Sequence, residues 1–293
     1  MGAKVLDGRQ ISTEIREELK QRVQALQQKG ITPSLVGVLV GDDPGSSSYV
    51  GLKERAAGQV GLEPRMLRLP EDTAEAELLS RIEELNTDTA VHGIFVQLPL
   101  PSHLDEGRVL AAVAPEKDVD GFHPLNVGQA WLGQQAFLPA TPVGIYEILL
   151  RTGYGDLRGK HVVIVNVDSL VGKPLASIIS QGSVGANVTL CHPTTRDLQA
   201  YTRLADVLVV AVNSPGFITA DMVKKGVVGV DFGSTYVEDS STKSGHRVVG
   251  DLDFEGLQGK AEALTPVPGG VGPMTVTMLL ANTVTAAEHQ AGV

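Results

Sequence analysis

Tyr49 and Lys53 stand four residues apart in Ser-Ser-Ser-Tyr-Val-Gly-Leu-Lys-Glu-Arg-Ala-Ala, residues 46–57, a stretch expected to be helical. On a helix that spacing puts the two side chains on one face. Ala56, Ala57 and Val60 make the neighbouring surface small and apolar, so the Lys53 amine is open to desolvation. Desolvation lowers an amine's pKa and turns it into a proton-transfer group near neutral pH. A surface lysine beside a half-buried tyrosine explains the same letters. Gln97 is a lone amide near the carboxyl end of the apolar run Gly93–Leu98, which Pro99 and Pro101 close. Buried there it needs a partner, and that partner is Lys53, a substrate group or nearby backbone. Asp118 and Asp120 flank Val119 in a Pro- and charge-rich loop. One of the two carboxylates could accept a pair of hydrogen bonds from an amidine-like ring edge, although a solvated turn fits the same residues.

A different signal lies near the C-terminus. Thr265-Pro-Val-Pro-Gly-Gly-Val-Gly-Pro-Met-Thr275 packs three prolines and three glycines into eleven residues. Pro266, Pro268 and Pro273 fix φ, while Gly269, Gly270 and Gly272 let something approach the main chain closely. Flexible linkers carry Ser and charge instead, so this segment reads as a ligand-facing loop or as a tight turn ahead of the last helix.

The elements that must position these groups alternate. Ile11, Ile15, Leu19, Val23 and Leu26 recur at helical spacing, with Ser12 or Thr13 placed to start that helix and Gly30 to end it. Strands at 34–40, 65–69 and 93–98 alternate with helices at about 47–60 and 73–85. After a helical stretch at 142–152, a second series places strands at 161–166, 187–191, 207–212 and 227–231. This is an α/β chain with parallel sheets. The expected fold is two α/β domains around a cleft, residues 1–121 and 122–293, the second a doubly wound Rossmann-like sheet. A final helix at about 274–288 could cap either domain. In such sheets ligands lie beyond the carboxyl ends of the strands, which gathers residues 166–172, 191–195 and 212–216.

Composition narrows the function. The chain has 293 residues, a formal charge of -10 and no run of Lys and Arg, so nucleic acid and anionic membranes are not expected partners. No apolar run is long enough to span a bilayer, and Met1–Gln10 is polar and charged, so a cytoplasmic protein is expected. Cys191 is the single cysteine, and the seven histidines show no HxH or HxxxH spacing, so no metal site is expected.

Residues 46–57, VQLPLP at 96–101, PEKDVDGFHPLN at 115–126, PATPVG at 139–144, VVGD at 248–251 and the 265–275 loop resemble, in order and spacing, the bifunctional methylenetetrahydrofolate dehydrogenase/cyclohydrolase family. The resemblance runs over essentially the whole chain. It implies a folate site in the interdomain cleft with Lys53 as the main catalytic residue, Gln97 tuning it and Asp120 binding the pterin edge. It further implies that Tyr49 stacks on the folate rings and that Pro268, Gly269 and Gly270 line the site. The implied partners are tetrahydrofolate derivatives and a nicotinamide dinucleotide, NAD or NADP, and the implied assembly is a homodimer through the cofactor domain.

The cofactor loop departs from the family. Where Gly-Arg-Ser precedes three residues and a Gly, this chain has Asn166, Val167 and Asp168 ahead of Gly172. Pro193 follows Cys191-His192 in place of Ser, and Gly233-Ser234-Thr235 replaces Gly-Ile-Asn. With Asn166, Val167, Asp168, Gly172, His192 and Ser234 as the cofactor-facing set, the Arg and Ser expected to hold a 2′-phosphate are gone. A carboxylate about 4 Å from a phosphate charge costs ~1–4 kcal/mol in water-like to surface-like dielectric, so NAD is favoured. Asp168 could instead accept from a ribose hydroxyl. Two other readings stay open: a cyclohydrolase whose cofactor site has decayed because Asn166 replaces a Gly close to the dinucleotide, and a folate-binding protein without turnover. Asp231-Phe-Gly-Ser-Thr235 mimics kinase motifs, but no Walker loop or His-Arg-Asp loop accompanies it.

Overall fold

The computed structural model describes residues 2–242 and 245–293. In chain order its strands are β1 (Lys4–Val5), β2 (Ser34–Val40), β3 (Glu63–Leu69), β4 (Gly93–Val96), β5 (His161–Val165), β6 (Asn187–Cys191), β7 (Val207–Val210), β8 (Val228–Asp231), β9 (Thr235–Glu238), β10 (His246–Val249) and β11 (Ala263–Leu264). The helices are α1 (Gly8–Gln28), α2 (Pro44–Val60), α3 (Glu75–Thr87), α4 (Glu106–Leu110), α5 (Pro124–Trp131), α6 (Ala140–Thr152), α7 (Gly172–Ser180), α8 (Leu198–Thr202), α9 (Phe254–Leu257) and α10 (Val271–Ala291). The chain divides into two compact units, one of residues 13–140 with 276–293 and the other of residues 1–12 with 141–275.

The first unit is built on a three-stranded parallel sheet in the order β3-β2-β4. All seven residues of β2 are buried, which is why Ser-Leu-Val-Gly-Val-Leu-Val runs apolar without alternation. Val36, Val38, Val40, Ile94 and Val96 pack with Leu78 and Ile82 of α3 and with Val109 of α4. Helix α2 begins earlier than its apolar pattern implies. Asp43 accepts from the Ser46 N–H at 2.7 Å, Pro44 opens the first turn, and Gly61 closes the helix in the left-handed region at φ 89°.

In the second unit six parallel strands run in the order β1-β11-β8-β7-β5-β6. β5 pairs with β6 on one side and β7 on the other, so the strand order reverses there, and the loops after these strands lie where doubly wound sheets bind ligands. The four strands expected from sequence are all present. The two-residue strands β1 and β11 and the antiparallel ribbon β9–β10 were not expected. Two residues carry no periodicity, and the ribbon's polar stretch carries no apolar alternation.

The boundary differs from the 121/122 division expected from sequence, for identifiable reasons. Asn126 on α5 donates to the Pro115 carbonyl and to Asp118, each at 2.9 Å, which holds the residues after 121 to the first unit. β1 pairs with β11 and so carries the N-terminus into the second. The last helix, α10, starts at Val271 in the second unit, and its residues from 276 onward belong to the first, where Glu288 pairs with Arg22 at 2.6 Å. Helix α1 is started by Asp7, which accepts from the Arg9 and Gln10 N–H groups, rather than by Ser12 or Thr13. No helix among the described residues is long and apolar enough to cross a membrane.

Candidate active site

Helix α2 carries Lys53 into the first unit, where its residue is only 6% exposed. Nζ donates to Gln97 Oε1 at 3.3 Å, lies 4.1 Å from the centroid of the Phe95 ring and 5.3 Å from that of Tyr49. Three groups on the sequence's candidate roll are thereby together. Phe95 and Gln97 share a face because they are two apart on an extended segment, where the Gln97 N–H continues the β4 ladder to Val38 O at 2.9 Å. The Gln97 amide is fixed by its other end: Nε2 donates to Leu98 O at 2.7 Å, which leaves Oε1 to face the amine. Gly37 of β2, paired with Phe95, makes room for the ring, since a Cβ at that position would overlap the ring and the Met66 sulfur.

Burial pushes the Lys53 pKa down, and the charge of Asp120 opposes that shift. The same physics acts on Asp120 in reverse. Burial lifts its carboxyl to about 6, with Lys53 pulling it down and Asp118 pushing it further up. Among the described residues no donor hydrogen-bonds the Asp120 carboxylate. Asp118 is the opposite case. Its carboxylate accepts from the N–H groups of Gly121 (3.0 Å), Phe122 (3.2 Å) and His123 (2.8 Å) and from Asn126 Nδ2 (2.9 Å). Asp118 organises the turn, and Asp120 is the carboxylate without a donor among the described residues.

In the second unit, the loop from β5 to α7 is closed on itself. Asn166 Oδ1 accepts from the N–H groups of Asp168 (3.0 Å) and Gly172 (2.9 Å), while its Nδ2 donates to Asp168 Oδ2 and to Ala211 O, both at 2.8 Å. Asp168 Oδ1 takes the N–H groups of Leu170 (3.0 Å) and Val171 (2.7 Å). The first amide of α7, that of Gly172, and the two amides ahead of it are thus occupied by side chains of the chain itself. The steric objection to Asn166 is corrected by this geometry: its side chain is turned inward and buried, bridging two loops instead of standing over the strand ends. Gly172 packs against Asn166 so closely that a Cβ would overlap the Asn166 carbonyl. Val167 is half-buried and Asp168 exposed. His192 takes the Thr194 N–H on Nδ1 at 3.2 Å, and the Ser234 N–H donates to Asn213 Oδ1 at 3.2 Å, so both sit in loops at the carboxyl ends of their strands.

The Asp-Phe-Gly-Ser-Thr segment holds no phosphate turn. Asp231 is buried, accepts from the Gly233, Asp251 and Leu252 N–H groups, and is lifted to about 6 by burial. Asp251 in turn accepts from Val212, Asn213 and Ser214 N–H groups. In the 265–275 loop the close approach allowed by glycine is made by protein: a Cβ on Gly8 would overlap the Gly270 carbonyl, and the Arg9 N–H donates to Gly269 O at 3.0 Å. Gly269 adopts φ 117° and is buried with Gly270, whereas Pro268 is exposed. Among the described residues no group of three or more His, Cys, Asp or Glu could hold a metal ion.

Residues 6–120 match the catalytic domain of tetrahydrofolate dehydrogenase/cyclohydrolase, and residues 139–291 match its NAD(P)-binding domain. The chain belongs to the tetrahydrofolate dehydrogenase/cyclohydrolase family. Bifunctional protein FolD 1 of Myxococcus xanthus is 52% identical, with 98% of each chain covered. The bifunctional FolD methylenetetrahydrofolate dehydrogenase/cyclohydrolase of Campylobacter jejuni superposes with a TM-score of 0.91 at 44% identity, over 98% of this chain and 99% of that one. The Trypanosoma brucei enzyme, complexed with NADP cofactor and an inhibitor, superposes at 0.94 with 35% identity and full coverage of both chains. The family's catalytic-domain match contains Lys53, Gln97 and Asp120, and its dinucleotide-domain match contains the Asn166–Gly172 loop.

Sequence reasoning missed Phe95 as a wall of the lysine site, although its two-residue offset from Gln97 held the signal. It also gave no role to Asp251, whose three backbone partners lie 37 to 39 residues away in sequence.

Proposed function

We infer that this protein interconverts one-carbon tetrahydrofolates, oxidising 5,10-methylenetetrahydrofolate with a nicotinamide dinucleotide and hydrolysing the resulting 5,10-methenyl form to 10-formyltetrahydrofolate. The observation that carries the reading is the buried Lys53 amine, held by one neutral amide and lowered in pKa by burial. Hydride departure leaves a cation, which a neutral amine does not repel. In hydrolysis, water adds to the methenyl carbon while Lys53 takes its proton. As the bond to N5 breaks, Lys53 returns that proton to N5, and the hydroxyl proton leaves to solvent as the formyl group forms. Gln97 Oε1 orients the amine throughout. Asp120, ionised above about pH 6 and without a donor among the described residues, accepts the amidine-like edge of the pterin. Tyr49 supplies a ring face for the folate. The resemblance assigns Pro268, Gly269 and Gly270 to the folate as well, with Pro268 as the exposed member.

The dinucleotide is assigned to Asn166, Val167, Asp168, Gly172, His192 and Ser234, with NAD preferred over NADP. Support comes from Asp168, an exposed carboxylate held by the Leu170 and Val171 N–H groups just ahead of α7, whose charge would repel an added 2′-phosphate. Asp168 Oδ2 accepts one hydrogen bond from Asn166 and retains a lone pair for a ribose hydroxyl. A cytoplasmic homodimer is the working assembly, measurable by sedimentation.

The test follows methylenetetrahydrofolate with NAD or NADP and, separately, methenyl hydrolysis without nucleotide. Turnover in both assays is expected, with NAD the more efficient. Hydrolysis alone would leave only a cyclohydrolase, and NADP efficiency equal to NAD would remove the role given to Asp168.

A further inference from the structure

Asp120 sits on a loop whose other parts are pinned. Val119 is fully buried, and a Cβ on Gly93 of β4 would meet both Val119 and Thr283 of α10. The Ile94 N–H donates to Lys117 O at 2.7 Å, and Lys117 Nζ reaches the Leu85 and Asp88 carbonyls at 3.1 and 2.7 Å. Gly121, at φ 74°, lies so close to the 137–139 backbone that a Cβ would come within 2.6 Å of Leu138 C and Pro139 N. One side chain joins these two backbone segments. Asn282 Nδ2, from α10, donates to Val119 O at 2.8 Å and to Leu138 O at 3.0 Å.

We propose that Asn282 is a positioning residue for the Asp120 carboxylate, acting as a clamp that holds the peptide preceding Asp120 and the strip of backbone pressed on Gly121 in one arrangement. The proposal rests on the reading of Asp120 as a folate contact. Its physical basis is that Asp120 itself has no hydrogen bond from the described residues, so its direction is set by the backbone on either side. With the clamp, both donors of one amide are spent on two carbonyls within a single unit. Without it, Val119 O and Leu138 O lose a partner and the turn between them gains freedom, at the cost of pre-organisation for the ligand.

The test is steady-state kinetics on Asn282→Leu, Asn282→Gln, Asp120→Ala and the Asn282→Leu/Asp120→Ala double variant. Asn282→Leu is expected to raise the KM for folate about tenfold, the equivalent of one lost hydrogen bond, with the KM for dinucleotide unchanged. Asn282→Gln keeps the donors, and the cavity of about 530 Å³ that Asn282 borders has room for its extra methylene, so it should recover most of the loss. The double variant should be no worse in folate KM than Asp120→Ala alone, because a residue acting through Asp120 has nothing left to position. If Asn282→Leu folds poorly, Asn282→Ala removes the donors without adding bulk or charge and gives the same readout. A raised folate KM in Asp120→Ala with none in either Asn282 variant, or additive effects in the double variant, overturns the clamp alone. An unchanged folate KM in Asp120→Ala overturns the reading of Asp120 and the clamp with it.

Discussion

The lysine site and the β5–α7 loop both concentrate polar groups, yet they spend them in opposite ways. Around Lys53 the charged groups are left wanting: the amine donates to a single amide oxygen at 3.3 Å, and Asp120 takes no hydrogen bond from the described residues. In the β5–α7 loop Asn166 and Asp168 satisfy each other and the backbone around them. The first arrangement leaves its charged groups short of partners in a buried setting, and burial shifts their pKa values. The second spends them on holding a shape, leaving a carboxylate on the amides just ahead of α7. The same contrast separates Asp118 from Asp120, two residues apart, one saturated by four donors and the other open.

Substitutions that convert one kind of region into the other test this contrast. Lys53→Met, the largest expected change, removes the proton carrier and should lower methenyl hydrolysis by about 10²–10⁴-fold. Its melting temperature should hold or rise, since an apolar chain of similar volume replaces a buried amine; a variant hydrolysing at near wild-type rate would take Lys53 out of the mechanism. Asp168→Asn keeps a capping oxygen but removes the charge, and should raise NADP efficiency relative to NAD by about tenfold to several hundredfold. An unchanged ratio would mean the cofactor never meets that carboxylate.

The pH dependence follows from the sign of the Asp120 shift. Its carboxyl is raised to about 6, so it is ionised at pH 7 and becomes protonated as the pH falls below that value. Folate binding through the ionised form should therefore hold between pH 7 and 8, while the KM rises by about tenfold per unit well below pH 6. In Asp120→Asn the rise should vanish, and its persistence would assign the titration to another group. The smallest effect is expected for Gly37→Val, which pushes Phe95 from its place beside the amine. It should cost about 1–3 kcal/mol of stability in a urea titration and slow hydrolysis only a few-fold, because Gln97 still holds Lys53.

Much of this was legible in the letters. The β2 run at 34–40 and the β6 run at 187–191 are strands with the ends the sequence implies; β2 is apolar because it is buried at every position, whereas β6 is the edge strand of its sheet, buries Cys191 alone and was marked by its short run of Val, Thr and Leu. Tyr49, Lys53 and Gln97 do converge, since a four-residue helical offset and the end of a neighbouring strand leave few alternatives. Residue types alone left Asp118 and Asp120 equivalent, and only the family resemblance pointed to Asp120. The letters also did not reveal that Gly269 packs against Arg9, and that the Gly270 carbonyl lies against Gly8, more than 250 positions away. The domain boundary moved for the same kind of reason, through contacts such as Asn126 with Pro115 and β1 with β11 that no local pattern encodes.

What the sequence determined by itself was the family, the alternation of strands and helices, and the residue types able to move a proton or bear a charge, because these depend on local periodicity and on side-chain chemistry. Which of those groups remains unpaired was decided only by the tertiary structure. A carboxylate or an amine is free or spent according to the donors that distant segments bring to it. Asp118 meets four of them, Asp168 meets its own loop, and Asp120 meets none among the described residues.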